Sequence, residues 1–378
     1  MNTSTADPPA DVLVIGGGVT GLCCALALAE AGAETVVVDR EVNAGSTANA
    51  GSLHVQLQSR FLRLFPELAP NVEASLPLYV AAADEWARLD ALHGPFDLVR
   101  EGGLMLAESD DQMRFLEKKA AREAVHGVDV ALLDRTDLDR IAPWLGPHII
   151  GAELCRNEGK LNPLSANLRL KAAAQAVGVE VVRGRVDDVR QENGAMVARG
   201  TGTWRASKVV IASAWGAGPL AAMLGISAPT VAEPLHMNIT EPAQYSIRQL
   251  VQHAERPITL KQFTSGQIVI GGGWPAAAAD GVPKVVPESL VANLALAARL
   301  APAIGHLRVI RTWAGLNTTS DGKTILGRAG RAVVAVTGDA GYTLGPLVAR
   351  AAAALITGQT PPFDTAPSSP ERFGSIAA

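Results

Sequence analysis

The stretch Val12-Leu13-Val14-Ile15-Gly16-Gly17-Gly18-Val19-Thr20-Gly21, with Thr35-Val36-Val37-Val38-Asp39 behind it, decides the fold. Four consecutive apolar, mostly β-branched residues fit a strand buried on both faces of a parallel sheet. Gly16-x-Gly18-x-x-Gly21 opens a helical pattern from Val19 to Ala31 closed by Gly32, and the second strand ends at Asp39. Strand, glycine turn, helix and strand within about thirty residues make a βαβ unit. In that setting the first glycine permits a tight turn, the second lets a pyrophosphate approach the backbone, and the third lets helix and strand pack closely. The helix start adds free N–H groups and a positive dipole end. Asp39, eighteen residues after Gly21, is placed to accept ribose hydroxyls. The pattern predicts a bound dinucleotide; the alternative is a tight βα turn with no ligand.

Outward from this unit the chain alternates. Helical patterns run over 81–92, 110–126 and 166–176, with a strand over 179–182. Residues 189–206 form a β-meander turning at Glu192-Asn193-Gly194. Val209-Val210-Ile211-Ala212 is another buried strand, leading into Trp215-Gly216-Ala217-Gly218. From Pro229 to Gly273 alternation predicts an antiparallel sheet distinct from the βαβ part, with His236 a structural residue inside it. Pro287–Leu300 is a helix with proline in its first turn. Val333-Val334-Ala335-Val336 is a last buried strand, joined by Thr337-Gly338-Asp339-Ala340-Gly341 to an Ala-rich helix ending near Gly358; the tail from Gln359 is irregular. Gly271-Gly272-Gly273 loosely repeats the glycine pattern. Gly281 and Pro283 follow too soon for a long helix, so it is a strand end near the substrate lobe rather than a second nucleotide site.

The 378 residues suggest two lobes, and 48% hydrophobic against 19% charged content supplies ample core. Lys+Arg of 33 against Asp+Glu of 37 leaves a net charge of −4, without the basic footprint of a nucleic-acid binder. Cys23, Cys24 and Cys155 have no zinc or iron–sulfur spacing, and the adjacent pair sits in an apolar helix as core. No metal site is expected. Met1–Ala10 lacks a basic and an apolar region, and no apolar window reaches membrane-spanning length, so a cytoplasmic chain in a reducing compartment is expected.

A nicotinamide dehydrogenase would continue with regular βα repeats. Here the second strand runs into the small-residue loop Gly45-Ser46-Thr47-Ala48-Asn49-Ala50-Gly51-Ser52-Leu53-His54, and the nucleotide fold resumes only through Thr337 to Leu344. A site built from both chain ends suits a bipartite flavin. With these motifs, Asp39-Arg40, Ile211-Ala212-Ser213-Ala214-Trp215, Trp313-Ala314-Gly315-Leu316, Asp321-Gly322 and Gly338 to Gly345, nearly the whole chain resembles the FAD-dependent D-amino-acid oxidase superfamily, also called the glycine oxidase or DadA-like group. Asn49 to Gln56 and Ile270-Gly271-Gly272-Gly273-Trp274-Pro275 are most similar to the β subunits of opine oxidases (octopine and nopaline dehydrogenases).

The resemblance implies an α/β fold: a Rossmann-type FAD-binding domain over 1–83, 140–218 and 308–378, and an antiparallel-sheet α+β substrate domain over 84–139 and 219–307. It implies FAD contacts from Gly16, Gly18, Val19, Thr20, Gly21, Asp39, Arg40, Ser46, Thr47, Asn49, Ala50, Gly51, Ser52, Leu53, Ala212, Trp215, Gly315, Gly338, Gly341, Tyr342, Thr343 and Leu344, with Val186 beside the adenine. It also implies hydride transfer from substrate Cα to flavin N5, giving an imine that water hydrolyses. Many members carry an arginine after the Gly-Leu of the third motif that grips the substrate carboxylate. This chain has Gly315-Leu316-Asn317-Thr318-Thr319, so either a clamp comes from elsewhere or the substrate is held differently.

Four further residues are candidates for the reacting end. His54 follows the flavin loop and either faces the substrate or is satisfied by backbone groups. Lys261 lies in an alternating strand that can put it on either face. Arg311 either meets a carboxylate or makes a surface ion pair. Tyr342 covers the flavin or packs in the core. The opine-oxidase resemblance implies an amino-acid or opine substrate and partner subunits of a heteromeric dehydrogenase, with an FMN at a subunit interface as in some relatives. A stand-alone D-amino-acid or sarcosine-type oxidase releasing peroxide, a non-catalytic flavin-binding subunit and a nicotinamide enzyme are the rivals.

Overall fold

The computed structural model describes residues 10–279 and 282–374. The leader reading of residues 1–9, Gly281 and the tail beyond Gly374 lie outside them. Two eight-stranded sheets organise the chain.

The first is the nucleotide-type sheet. Ala10–Ile15 is central, parallel to Thr35–Asp39 on one side and Thr203–Ile211 on the other; Glu180–Arg183 and Ala332–Val336 extend it, also in parallel. Its register sets Val14 beside Val37 and Val210, all fully buried, which is why these strands lack a polar face. Ile325–Ala329 closes one edge in antiparallel fashion, and Val186–Glu192 and Ala195–Gly200 fold back from Thr203–Ile211 as the expected meander. Asn193 and Gly194, both at positive φ, make its turn. Helices Val19–Glu30 and Gly341–Thr357 pack on this sheet and on each other. Cys23 and Cys24 are buried in their shared core, where burial pushes the Cys24 thiol up to about 12. Neither is suited to redox work there.

The second sheet runs Val309–Thr319, Val231–Thr240, Ile268–Gly271, Thr259–Gln262, Leu250–His253, Gly103–Ala107, Gly151–Cys155, Val130–Asp134. All its pairs are antiparallel except Leu250–His253 with Gly103–Ala107. Helix Pro287–Leu300 covers one face through Leu296, Ala297 and Leu300.

Sheet membership departs from the expected spans in two places. Gly151–Cys155 and Val309–Thr319, inside spans expected to belong to the cofactor domain, both pair in the second sheet. The helix expected over 81–92 is Ala69–His93 and crosses the expected boundary at 83/84. Its buried stripe of Leu76, Tyr79, Ala83, Trp86 and Leu89 continues the helical period past Pro77, so packing outweighs the lost N–H.

Candidate flavin site and its neighbouring cavity

The glycine turn is built by close approach. Gly16, at φ 110°, would bring a Cβ to 2.5 Å from the Ala212 carbonyl oxygen, and a Cβ on Gly21 would overlap the Gly16 carbonyl. Only glycine lets the two strands and the helix meet so closely. Asp39 accepts from Gly17 N–H at 2.6 Å and from Glu41 N–H at 2.5 Å, which ties the second strand to the turn. Ser46 Oγ accepts from Val19 N–H at 3.0 Å, capping the helix from the small-residue loop.

That loop is held from three sides. Asn167 Nδ2 donates to Ser46 O (2.9 Å), Trp313 Nε1 donates to Ala48 O (2.8 Å), and Leu316 N–H donates to Ala44 O (2.6 Å). Ser52-Leu53 pairs with Gly159-Lys160 as a two-stranded sheet.

These elements enclose a cavity of about 250 Å³ between the two sheets. Gly18, Val19, Thr20, Ser46, Asn49, Ala50, Ser52, His54, Ala212, Trp215, Gly315, Gly338, Gly341, Tyr342 and Thr343, all expected at the site, line it. The starts of helices Val19–Glu30 and Gly341–Thr357 both face it, and neither carries an acidic residue in its first turn. Among the described residues no Lys, Arg, Asp or Glu lines it. Two dipole ends and bare backbone N–H groups suit a pyrophosphate. A Cβ on Gly18 would stand 2.9 Å from Ser46 Oγ, filling the space the backbone leaves open. The residues therefore fit FAD.

Other expected residues stand elsewhere. Gly16, Gly21, Asp39, Gly51, Leu53 and Leu344 are not among the residues that line this cavity. Arg40 and Thr47 are exposed. Val186 starts a meander strand, half-buried, and does not line the cavity because the strand leads away into the antiparallel fold-back. Arg311 is exposed near the start of the edge strand, its guanidinium 5.8 Å over Trp313, and lines neither this cavity nor the one adjoining it. Tyr342 borders the cavity, but its ring stacks on Trp86 (5.1 Å, 13°) and its hydroxyl lies 3.4 Å from Pro163 O. The aromatic partner draws the ring into the core rather than over the site, and burial holds the phenol well above its usual range. His236, expected to be structural, lines the first cavity as well, and its ring bonds Asn238 (3.0 Å), which bonds Asn293 on the covering helix.

Lys261 is fully buried and donates to Ser52 Oγ at 2.6 Å, one bond from the cavity wall. Burial, and secondarily the charge of Lys160, push its ammonium down to about 7. Lys160 donates to Ile247 O at 2.6 Å, and burial brings it too to about 7.

A second cavity of about 200 Å³ adjoins the first, sharing His54, Leu235, Thr259, Gly272, Gly273 and Asn317. Phe61, Leu62, Val72, Tyr79 and Met105 form an apolar part, Gln56, Gln252 and Arg256 a polar one. Arg256 Nη2 donates to Glu108 at 2.9 Å, Glu108 also takes Arg299 (3.0 Å), and Glu233 lines the same cavity, so side chains of both signs border it. His253 adds no charge at neutral pH: its Nδ1 accepts from Glu255 and Arg256 N–H, and burial pushes it down to about 4. Beneath this cavity Lys119 contacts Glu123 (2.8 Å) and Glu153 (2.7 Å), and burial together with the neighbouring Glu123 pushes the Glu153 carboxyl upward. Sequence reasoning missed Gln56, Gln252 and Arg256. The signals for this region were the triple glycine, whose Gly272 and Gly273 line both cavities, and His54 at the end of the flavin loop, which lines both as well.

Comparison with known proteins agrees with this geometry. The family model described as FAD dependent oxidoreductase matches residues 11–355. The chain is 27% identical over 333 residues to the beta subunit of sarcosine oxidase from Rhizobium meliloti (strain 1021), covering 85% of this chain and 77% of that one. It is 25% identical over 338 residues to an opine oxidase subunit of Rhizobium meliloti, covering 85% of each. The crystal structure of glycine oxidase from Geobacillus kaustophilus superposes with a TM-score of 0.82 at 23% identity, over 96% of this chain and 98% of the other. The chain therefore belongs to the FAD dependent oxidoreductase (DAO) family, the D-amino-acid-oxidase-type flavoenzymes that its motifs resemble.

Proposed function

We propose that this enzyme oxidises the C–N bond of an amino acid or N-substituted amino acid. The carrying observation is the pair of cavities with a common wall: one framed by two helix N-termini, the other holding Arg256. FAD bound in the first supplies the two-electron acceptor for a substrate C–H, leaving an imine for water to hydrolyse. The glycine turn, Ser46 and the start of Gly341–Thr357 hold the cofactor. Arg256, the one arginine or lysine lining the second cavity among the described residues, is the candidate partner for a substrate carboxylate. It takes the role that Asn317, following Gly315-Leu316, cannot fill. Lys261, near neutrality behind Ser52, is positioned to exchange a proton with the wall.

Relatives named as subunits support the opine-type reading, in which partner subunits receive the electrons. The domain division we propose follows sheet membership. No feature of the described residues supports the additional FMN, and the reading is confined to FAD. Three free, buried cysteines suit the reducing, cytoplasmic location we assign; among the described residues no helix is long and apolar enough to cross a membrane.

The test is anaerobic addition of octopine, nopaline, sarcosine, proline and D-alanine to the purified yellow protein with any co-purifying partners. Bleaching by an opine with little peroxide in air supports the role of a dehydrogenase subunit. A simple amino acid that bleaches the flavin with rapid peroxide release makes it a stand-alone oxidase. A flavin that no amine bleaches leaves a non-catalytic subunit.

A further inference from the structure

A buried carboxylate beneath the second cavity sets the orientation of an amide on its wall. Glu158 is fully buried and accepts four hydrogen bonds: Val55 N–H (2.9 Å), Gln56 N–H (3.2 Å), Gln56 Nε2 (2.8 Å) and Gln252 Nε2 (2.9 Å). A carboxylate so surrounded only accepts, so Gln252 must turn its NH2 toward it and its carbonyl oxygen away. Gln56 is locked in the same sense, because its Oε1 takes Lys119 Nζ at 3.2 Å. Its NH2 is thus directed at Glu158.

Gln252 Oε1 is consequently a buried acceptor without a partner, on a residue 2% exposed that lines the cavity. The next residue of the strand Leu250–His253, His253, also lines the cavity, with its Nε2 3.8 Å from Glu108. Leaving an amide oxygen desolvated and unmatched costs free energy, which a bound molecule recovers by bringing an N–H. Arg256 lines the same cavity, so one chamber offers an acceptor for an amine N–H and a cation for a carboxylate.

Resting on the function proposed above, we propose that Gln252 is a positioning residue whose Oε1 accepts an N–H of the substrate amine, so that the site takes primary and secondary amines and discriminates against tertiary ones. A neutral secondary amine offers one N–H to Oε1 and keeps its lone pair for the C=N bond. A tertiary amine turns only carbon toward the oxygen and leaves it unmatched.

The experiment pairs whichever of glycine, sarcosine, proline or octopine bleaches the flavin with its N-methylated counterpart, such as N,N-dimethylglycine for sarcosine, in buffer alkaline enough to leave the amine neutral, where the tertiary amine has no N–H. Spectral titration gives Kd, and anaerobic stopped-flow gives the rate of flavin reduction. The parent prefers the N–H substrate by about tenfold or more, the scale of one buried hydrogen bond. Gln252→Lys keeps a donor to Glu158 but offers no acceptor; Gln252→Met removes both. In each the preference falls toward unity, the loss falls on the N–H substrate, and the flavin spectrum of the bound cofactor is unaltered. A preference that survives in Gln252→Lys, or a loss equal for both substrates, overturns the assignment, and Gln252→Lys remains informative if Gln252→Met fails to fold. A parent that reduces with both substrates equally removes the role of Gln252 and leaves the proposed function standing. A parent bleached by none of the amines sinks both.

Discussion

Gly21 has the smallest tolerance of any residue in the nucleotide turn. Its missing Cβ is the space occupied by the Gly16 carbonyl, so Gly21→Ala must push helix Val19–Glu30 off the strand. Loss of bound FAD, seen as colourless protein after gel filtration, is the expected outcome; a yellow, fully loaded variant would contradict the geometry. Lys261 carries a different strain. Its ammonium is held at about 7 against an ordinary 10.5. Between those values the folded chain has released a proton that the unfolded chain keeps, so stability rises with pH across that window and the penalty is complete below pH 7. Lys261→Met should be more stable than the parent at pH 6, with the gap closing toward pH 10.5 by up to about 1.4 kcal/mol per pH unit. Urea denaturation from pH 6 to 10 measures this, and identical slopes for both proteins would show that Lys261 keeps its charge. The sequence named Lys261 without choosing its face, because alternation alone does not say which side of the strand meets the cofactor loop.

At the level of elements, helix Pro163–Ala176 illustrates how local signals serve the site. Asn162 caps it by accepting from Leu164 and Ser165 N–H, and one turn in, Asn167 holds Ser46 O. Asn162→Ala should cost about 1 kcal/mol of stability by thermal melting and weaken FAD binding severalfold through the loosened Asn167. The βαβ unit, the meander, the helices over 110–126 and 287–300 and the C-terminal strand and helix were legible because each has an uninterrupted period and its own stop signal. Gly103–Ala107, Val130–Asp134 and Gly151–Cys155 were not. They are five-residue runs whose strand character comes from pairing with one another and with Leu250–His253, far away in the chain. The start of Ala69–His93 was hidden by Pro77, a local breaker overridden by the buried stripe on either side.

Across the whole molecule the two sheets are joined at the cofactor loop. The edge strand Val309–Thr319 belongs to the second sheet, yet Trp313 Nε1 and Leu316 N–H bond Ala48 and Ala44 of the loop that follows the first βαβ unit. Trp313→Phe keeps most of the packing and loses one bond, so the FAD dissociation constant should rise about threefold to tenfold with little change in far-ultraviolet circular dichroism. An unchanged constant would remove the strand from cofactor binding. The cofactor half of the site was legible because contiguous glycine-rich runs carry it. The substrate half was not: Gln56, Gln252 and Arg256 acquire meaning only through Glu158 and Glu108, partners about a hundred residues or more away from most of them.

Glu158 has a consequence for anyone who shortens the chain. Its four donors come from residues 55–56, next to the flavin loop, and from residue 252, in the other sheet. A fragment ending before that strand contains every glycine of the fingerprint, yet it strands a carboxylate in an apolar interior with one donor missing and no C-terminal helix to close the pocket. Such a fragment would be a nucleotide-binding sequence without a nucleotide-binding protein. Yellow colour is therefore expected to track folding of the distal lobe, and pigment retention in the full chain against a fragment ending before Leu250 checks it.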